Sequence, residues 1–310
     1  MKRFQHGDRV CFLGDSITAQ NRYVALIADH YKTCFPEESI RIFNCGISGG
    51  TAALMRKYFE EDVRPHDPTH IFIMLGVNDA RCHLLSTMER SASRHTALRQ
   101  FYEDYKTNLT ALLNSAVSTG ADVTLMTPPP YDEYTGTNAH PGGFALIAGF
   151  AEFVRALCAE TGCRMIDIHT FLTEQLQSDV LYDADHVHPN DMGHYLLAKR
   201  ILQEQGLDIG AFRPMPAYLT QWRDAVAAYR GLYAVEYMVI ANDSMTPHQK
   251  IGFIQDYLDR QAYNDPTRDE GTNAFFKRVG KNYLQNKLRQ KELFAQIDTL
   301  FDSMRANELP

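Results

Sequence analysis

Five times in the first two hundred residues, a short apolar run gives way to a turn-forming residue and then to a helix-like stretch. Few folds accommodate that alternation. The apolar runs are Arg9–Leu13, Ile40–Asn44, His70–Leu75, Asp122–Thr127 and Arg164–Ile168. Each is rich in β-branched or aromatic residues and ends at Gly, Pro, Asn or Asp, which marks a buried strand. Helical spacing covers about Asn21–Tyr31, Thr51–Glu61, Arg94–Ser118, Gly143–Thr161 and Asp191–Gln203. Strands joined through helices pair in parallel, and the helices cover both faces of the sheet. With right-handed crossovers the expected fold is an α/β three-layer αβα sandwich on a five-stranded, parallel, flavodoxin-like sheet. A closed eight-stranded barrel needs more units than the chain contains.

Near Gly206 the alternation stops. The stretch LDIGAFRPMPAYL holds two prolines and no clear period, and reads as a connector. Gln221–Met238 then has helical spacing through Trp222, Val226, Tyr229, Tyr233 and Tyr237. Thr246–Arg260 follows, with Thr246 and Pro247 suited to the N-cap and first helical position. A last amphipathic segment, Thr272–Met304, repeats Phe276, Val279, Tyr283, Leu284, Leu288, Phe294, Ile297, Leu300 and Phe301 at roughly helical intervals. The expected division is an α/β domain over 1–209 and an α-helical C-terminal module over 210–310. The aromatic stripe of that module reads as core or as a surface for self-association. It either pairs two protomers into a homo-oligomer or folds over the ligand edge as a lid.

Charge narrows the partners. Thirty-one basic residues against thirty-eight acidic ones leave a net charge of −7, with no long Lys/Arg run. That argues against a nucleic-acid partner held through phosphates. No apolar stretch approaches the ~18–20 residues of a membrane span, and the start MKRFQHGDRV lacks the apolar core of a signal peptide. A cytoplasmic protein with no membrane partner is expected. The cysteines Cys11, Cys34, Cys45, Cys82, Cys158 and Cys163 contain no CxxC and read as free thiols.

In open parallel sheets, ligands bind beyond the carboxyl ends of the strands, where strand order reverses. The first strand runs into Gly14-Asp15-Ser16-Ile17-Thr18, the second into Asn44-Cys45-Gly46, and the third into Gly76-Val77-Asn78-Asp79. With order 2-1-3-4-5 these loops are neighbours. Asp185-His186-Val187-His188-Pro189 opens the last helix of the sandwich and brings an imidazole and a carboxylate to the same end. Each piece also has a plain structural reading. Ser16 can cap a helix, Asn78-Asp79 can form a turn, and Asp185 to Pro189 can start a helix. Asp183, Asp185, His186 and His188 are also crowded enough to suit zinc or manganese, which leaves Ser16 unexplained.

These four blocks, in this order, resemble the SGNH (GDSL-type) hydrolases over about residues 7–205. The family's GDS serine, its glycine after strand two, its GxND and its DxxH correspond to GDSIT at 14–18, Gly46 in NCGIS, GVND at 76–79 and DHVH at 185–188. The resemblance implies a serine esterase with Ser16, His188 and Asp185 as a catalytic triad and no cofactor or metal. A serine hydroxyl is a poor nucleophile until a base takes its proton, and a histidine serves as that base when its other nitrogen is held. Asp185, three residues before His188, is close enough in sequence to fold back onto Nδ1. The resemblance assigns the oxyanion hole to the Ser16 N–H, the Gly46 N–H and the Asn78 amide. A glycine suits that place because a chain without a Cβ approaches a ligand closely.

Two loops beside Ser16 bear on the substrate. Arg81–Ser93 carries Arg81, His83 and Met88; Pro128–Gly143 carries Tyr131, Asp132, Glu133, Tyr134 and His140. Polar and aromatic residues suit sugar rings better than a long acyl chain, which wants an aliphatic lining. The plainer reading is a hydrated loop. Asp15, Arg81, Tyr131 and Tyr134 are the candidates for substrate contact. Members with a FLGDSIT start commonly remove acetyl groups from carbohydrates, so the resemblance implies a short-acyl esterase acting on a small-molecule or oligosaccharide ester. The alternatives are an acyl-thioester or lysophospholipid hydrolase and a non-catalytic binding or assembly module. An acyl-enzyme discharges to water or to another alcohol, so hydrolase and transferase remain open at this point.

Overall fold

A computed structural model describes residues 1–87, 92–135, 140–176, 179–239 and 245–303. Met88 and Met304, named above, lie outside them. Strands β1 (Arg9–Gly14), β2 (Arg41–Gly46), β3 (His70–Met74), β4 (Asp122–Met126) and β5 (Arg164–Ile166) form one parallel sheet in the order β2-β1-β3-β4-β5. Around it lie α1 (Ser16–Ala19), α2 (Arg22–Cys34), α3 (Ala52–Asp62), α4 (Val77–Ala80), α5 (Leu84–Thr87), α6 (Ala92–Val117), α7 (Gly143–Thr161), α8 (Ile168–Gln175) and α9 (Asp191–Gln203). This is the expected three-layer α/β sandwich.

The two-residue repeat of a strand divides the core. Val10 and Phe12 face one side, with Phe72 and Met74 of β3, against α2 and α9. Cys11 and Leu13 face the other, with Ile71 and Ile73, against α3, α6 and α7. Phe12 and Phe72 are register partners, and their rings stack at 4.8 Å. Helix α8 was not expected. Asp167 ends β5 early by accepting the Thr170 N–H at 3.1 Å as N-cap, and Arg155 braces its carboxylate at 2.9 Å. All six cysteines are free.

Past residue 210 come α10 (Ala217–Val239), α11 (Pro247–Asp259), α12 (Glu270–Leu288) and α13 (Gln290–Ser303). Thr246 and Gln249 form a reciprocal capping box ahead of Pro247. The single long segment expected at 272–304 is instead two helices, because the chain leaves helical geometry at Arg289 (φ −107, ψ 15). Much of the stripe packs inward, although Leu288 is exposed. Leu219, Trp222 and Val226 complete the core on the α2/α9 side of the sheet. Leu232, Val235, Ile254, Val279 and Tyr283 form a smaller core among the C-terminal helices. Among the described residues no helix is long and apolar enough to cross a membrane.

Trp222 is the only tryptophan of the chain and is 2% exposed, so its emission reports the docking of α10. If the C-terminal helices and the sandwich unfold as one unit, urea transitions followed by Trp222 fluorescence and by far-ultraviolet circular dichroism will coincide. An earlier fluorescence transition would show that the helices undock first.

Candidate active site

The site begins where β1 stops. A Cβ on Gly14 would lie 2.1 Å from Thr18 Oγ1 and 3.0 Å from the Met74 carbonyl oxygen, so glycine alone lets the chain turn straight into α1. Asp15 is the N-cap of α1, and its Oδ1 accepts the Ile17 N–H at 2.9 Å. Ser16 is thereby the first residue of the helix, where a backbone N–H has no intrahelical acceptor.

His188 Nε2 lies 2.6 Å from Ser16 Oγ, and Asp185 Oδ2 lies 2.5 Å from His188 Nδ1. The other oxygen of Asp185 accepts the backbone N–H groups of Val187 at 3.0 Å and His188 at 2.9 Å. The DHVH turn is closed by the Asp183 N–H donating to the His188 carbonyl at 2.8 Å and by His186 in the left-handed region at φ 63. Asn190 then caps α9. Burial alone would raise the Asp185 carboxyl, but its bonds to His188 and Val187 hold it far below the ordinary carboxylate range. Burial pulls His188 down, and the bond and charge of Asp185, with the charges of Asp15 and Asp183, outweigh it and leave His188 raised.

Asn78 is the second residue of α4. Its Nδ2 donates to the Gly50 carbonyl at 3.1 Å, which leaves the second amide hydrogen unused by that bond. The next residue, Asp79, accepts the Ala52 N–H at 3.0 Å and so ties α4 to the start of α3. Burial pushes the Asp79 carboxyl up to about 7 against that bond, and the charge of Asp15 adds to the rise.

Gly46 departs from expectation. Its N–H donates to Asn44 Oδ1 at 2.9 Å and is no open donor. Its missing side chain serves α1 instead, since a Cβ would sit 2.4 Å from the Ala19 nitrogen. In the loop beyond it, the Ile47 N–H goes to the Gly14 carbonyl and the Gly50 N–H to the Ile47 carbonyl. Gly49, half-buried between them, holds φ +76.

The four substrate candidates separate. Asp15 and Tyr131 are each 2% exposed and belong to the scaffold. Burial raises the Asp15 carboxyl to about 6, against its Ile17 bond and the His188 charge. Tyr131 packs on Gly143, and its hydroxyl accepts the His140 N–H at 2.8 Å. Arg81 is exposed in the left-handed region at φ 51, its guanidinium 4.6 Å from the Phe101 ring centroid. Tyr134 is 68% exposed and meets Phe144 edge-on at 5.6 Å.

Among its described residues, the loop after β4 is internally braced. Asp132 is fully buried and accepts the Tyr134 and Thr135 N–H groups; its own N–H donates to the His186 carbonyl at 3.1 Å. His186, 5% exposed, places Nδ1 3.8 Å from Asp132 Oδ2, so it turns away from Asp185 and His188. Glu133 accepts the Gly142 and Phe144 N–H groups at the start of α7. This latch between two site loops joins residues fifty-odd positions apart, and no local pattern announces it.

The chain matches the family model for the GDSL-like lipase/acylhydrolase family over residues 12–196. It is similar to an acetylxylan esterase of Geobacillus stearothermophilus, at 29% identity over 65% of this chain and 95% of that protein. A crystal structure of Axe2, an acetylxylan esterase from Geobacillus stearothermophilus, superposes with a TM-score of 0.57 at 27% identity, over 69% of this chain and all of the other. A gut microbial diltiazem-metabolizing enzyme shares the fold across 98% of this chain and 97% of its own, with a TM-score of 0.73 at 16% identity.

The Asp79 carboxyl sets a pH test. Its folded value of about 7 lies above the ordinary 3.8, so between the two the folded chain holds a proton that the unfolded chain releases. Its contribution is fully present below about pH 4 and is lost as pH rises toward 7. Asn at this position keeps an acceptor for Ala52 without the charge. Asp79→Asn is therefore expected to lose less stability than the wild type between pH 4 and 7, read as denaturant midpoints; parallel pH profiles would refute the assignment.

Proposed function

The chain belongs to the GDSL-like lipase/acylhydrolase family and is a carboxylic ester hydrolase, and we propose that it removes acetyl groups from carbohydrate esters with Ser16, His188 and Asp185 as its triad. The observation that carries this reading is the unbroken relay of 2.6 Å from Ser16 Oγ to His188 Nε2 and 2.5 Å from His188 Nδ1 to Asp185.

In this mechanism His188 Nε2 takes the Ser16 proton as Oγ attacks the acetyl carbonyl carbon. Asp185 holds the Nδ1–H and stabilises the imidazolium. The oxyanion receives the Ser16 N–H and the free hydrogen of the Asn78 amide. Because the Gly46 N–H is occupied, the third donor falls to Gly49, on the loop that Asn78 holds through Gly50. As the tetrahedral intermediate collapses, His188 returns the proton to the sugar oxygen, and the sugar leaves as an alcohol. Water, deprotonated by His188, then cleaves the acetyl-serine to acetate and free enzyme.

Support comes from the Geobacillus enzyme. Its structures with a serine, an aspartate or a histidine replaced by alanine are described as catalytic mutants. That aspartate and histidine stand three positions apart, as Asp185 and His188 do here. Its substrate, acetylated xylan, is the basis for proposing a carbohydrate. Exposed Tyr134, on the braced loop, offers a ring face to a sugar.

The test is a p-nitrophenyl ester series from acetate to decanoate, followed by acetate release from acetylated xylo-oligosaccharides. Acetate should be preferred, Ser16→Ala should abolish turnover, and Asn78→Ala should lower kcat by roughly 10²–10³. A preference for decanoate would transfer the case to lipid or thioester substrates. Turnover retained in Ser16→Ala would refute the serine mechanism, and a wild type inert on every ester would favour a binding module. Since His188 works only when neutral and is raised by Asp185, kcat/KM should fall on acidification through a value above the ordinary 6.5. Asp185→Asn should move that limb to lower pH and cut the plateau by up to ~10⁴; an unmoved limb would detach Asp185 from the base.

A further inference from the structure

The family match ends at residue 196, and it gives no role to the C-terminal helices. One side chain from them reaches the strand ends that carry the site. Arg230 of α10 is 2% exposed. Its Nη1 and Nη2 donate to Asp62 Oδ1 at 2.8 Å and Oδ2 at 2.5 Å, and its Nε donates to the Gly46 carbonyl at 2.8 Å. The Tyr233 ring covers one face of the guanidinium at 3.9 Å.

We propose that Arg230 is a positioning residue for catalysis, fixing the end of β2 and through it both α1, which presents Ser16, and the loop that presents the Gly49 N–H. β2 is an edge strand, so on its outer side no neighbouring strand takes up its carbonyls, and Arg230 takes that of Gly46. From Gly46 the contact passes inward at once. Its Cα lies so close under α1 that a Cβ would collide with Thr18 and Ala19. Its N–H binds Asn44 Oδ1, while Asn44 Nδ2 binds the Thr18 carbonyl at 2.6 Å and Asn21 Oδ1 at 2.9 Å. Directly after Gly46 comes the loop 47–50, which Asn78 grips through Gly50.

A bare stabilising role explains this arrangement poorly. A buried ion pair costs so much desolvation that well-packed apolar residues of similar volume commonly stabilise as well or better. What an apolar side chain does not supply is a donor held in a fixed fork and aimed at one carbonyl. A displacement near 1 Å in a reacting group costs on the order of 100-fold in rate, so a donor that fixes Gly46 has a direct kinetic value. Arg230 and Asp62 also line a cavity of about 240 Å³ between β2, α10 and α13. A small cation has room to enter there once the arginine side chain is cut away.

The proposal rests on Ser16 being the nucleophile, and Ser16→Ala, assayed alongside, separates failure of that reading from failure of this one. The experiment compares full-length wild type, Arg230→Ala and Arg230→Lys on p-nitrophenyl acetate, with circular dichroism and denaturant midpoints taken on the same samples. For folded Arg230→Ala, kcat should fall roughly 10- to 100-fold while KM stays within about twofold. Sub-denaturing guanidinium should restore part of kcat to Arg230→Ala and none to wild type, and Arg230→Lys should lie between. If Arg230→Ala does not fold, Arg230→Lys carries the same kcat test. Wild-type kcat in a folded variant overturns the proposal. So does a loss that only tracks the unfolded fraction, or a rise in KM at constant kcat.

Discussion

Helix α1 rests against the ends of two strands because neither strand has a side chain there. Added Cβ atoms on Gly14 and Gly46 would come within 2.1 Å of Thr18 Oγ1 and 2.4 Å of the Ala19 nitrogen. That steric allowance governs the rest of the site. It lets the chain leave β1 and enter a helix within one residue, so the serine after the cap stands at a helix N-terminus with its hydroxyl beyond the sheet edge. It sets the distance from which His188, arriving from the DHVH turn, meets Ser16 at 2.6 Å. It also brings Asn44 under Thr18, where one amide side chain serves both β2 and α1.

Much of this was legible in the sequence because it is written in short-range patterns. Strand order, the two-faced core and the gathering of GDSIT, GVND and DHVH at one sheet edge follow from periodicity and topology. The glycine at 46 was singled out as a place of close approach to a substrate. Its partner was not, because a missing Cβ says that something comes near and not what. The loop after β4 failed for a related reason. Tyr131, Asp132 and Glu133 look hydrated by residue type, yet His140, His186 and the start of α7 take up their polar groups and bury the first two. Partners distant in sequence carry no local signature. The same holds for Arg230, one charged residue on a helix whose aromatic stripe gives no hint that it reaches β2.

The C-terminal helices join the fold through two kinds of contact that act differently. Leu219, Trp222 and Val226 extend an apolar core, which tolerates repacking among residues of similar size. The Arg230–Asp62 fork is directional and specifies one arrangement of α10 against α3 and β2. The first accounts for adhesion; the second accounts for register. A gut enzyme of the same fold across nearly its whole length shows that such helices accompany the sandwich elsewhere, whereas the Geobacillus esterase is complete within 69% of this chain. The sandwich therefore makes a protein of this fold without them, and the helices are an addition to it.

Electrostatics then divide the site into two halves. Around His188 stand Asp185, Asp15 and Asp183, all of which favour the imidazolium. Around the position proposed for the oxyanion stand N–H donors and a neutral amide, with Asp15 turned inward onto Ile17 and Asp79 onto Ala52. In the proposed reaction both charges of the tetrahedral state appear together, each beside the groups that favour it. The product acetate is different. It is an anion released beside Asp15, Asp183 and Asp185, and once His188 is neutral again no full positive charge of the relay holds it. The same carboxylates that stabilise the imidazolium thus disfavour retention of the acid, while the deacetylated sugar leaves uncharged.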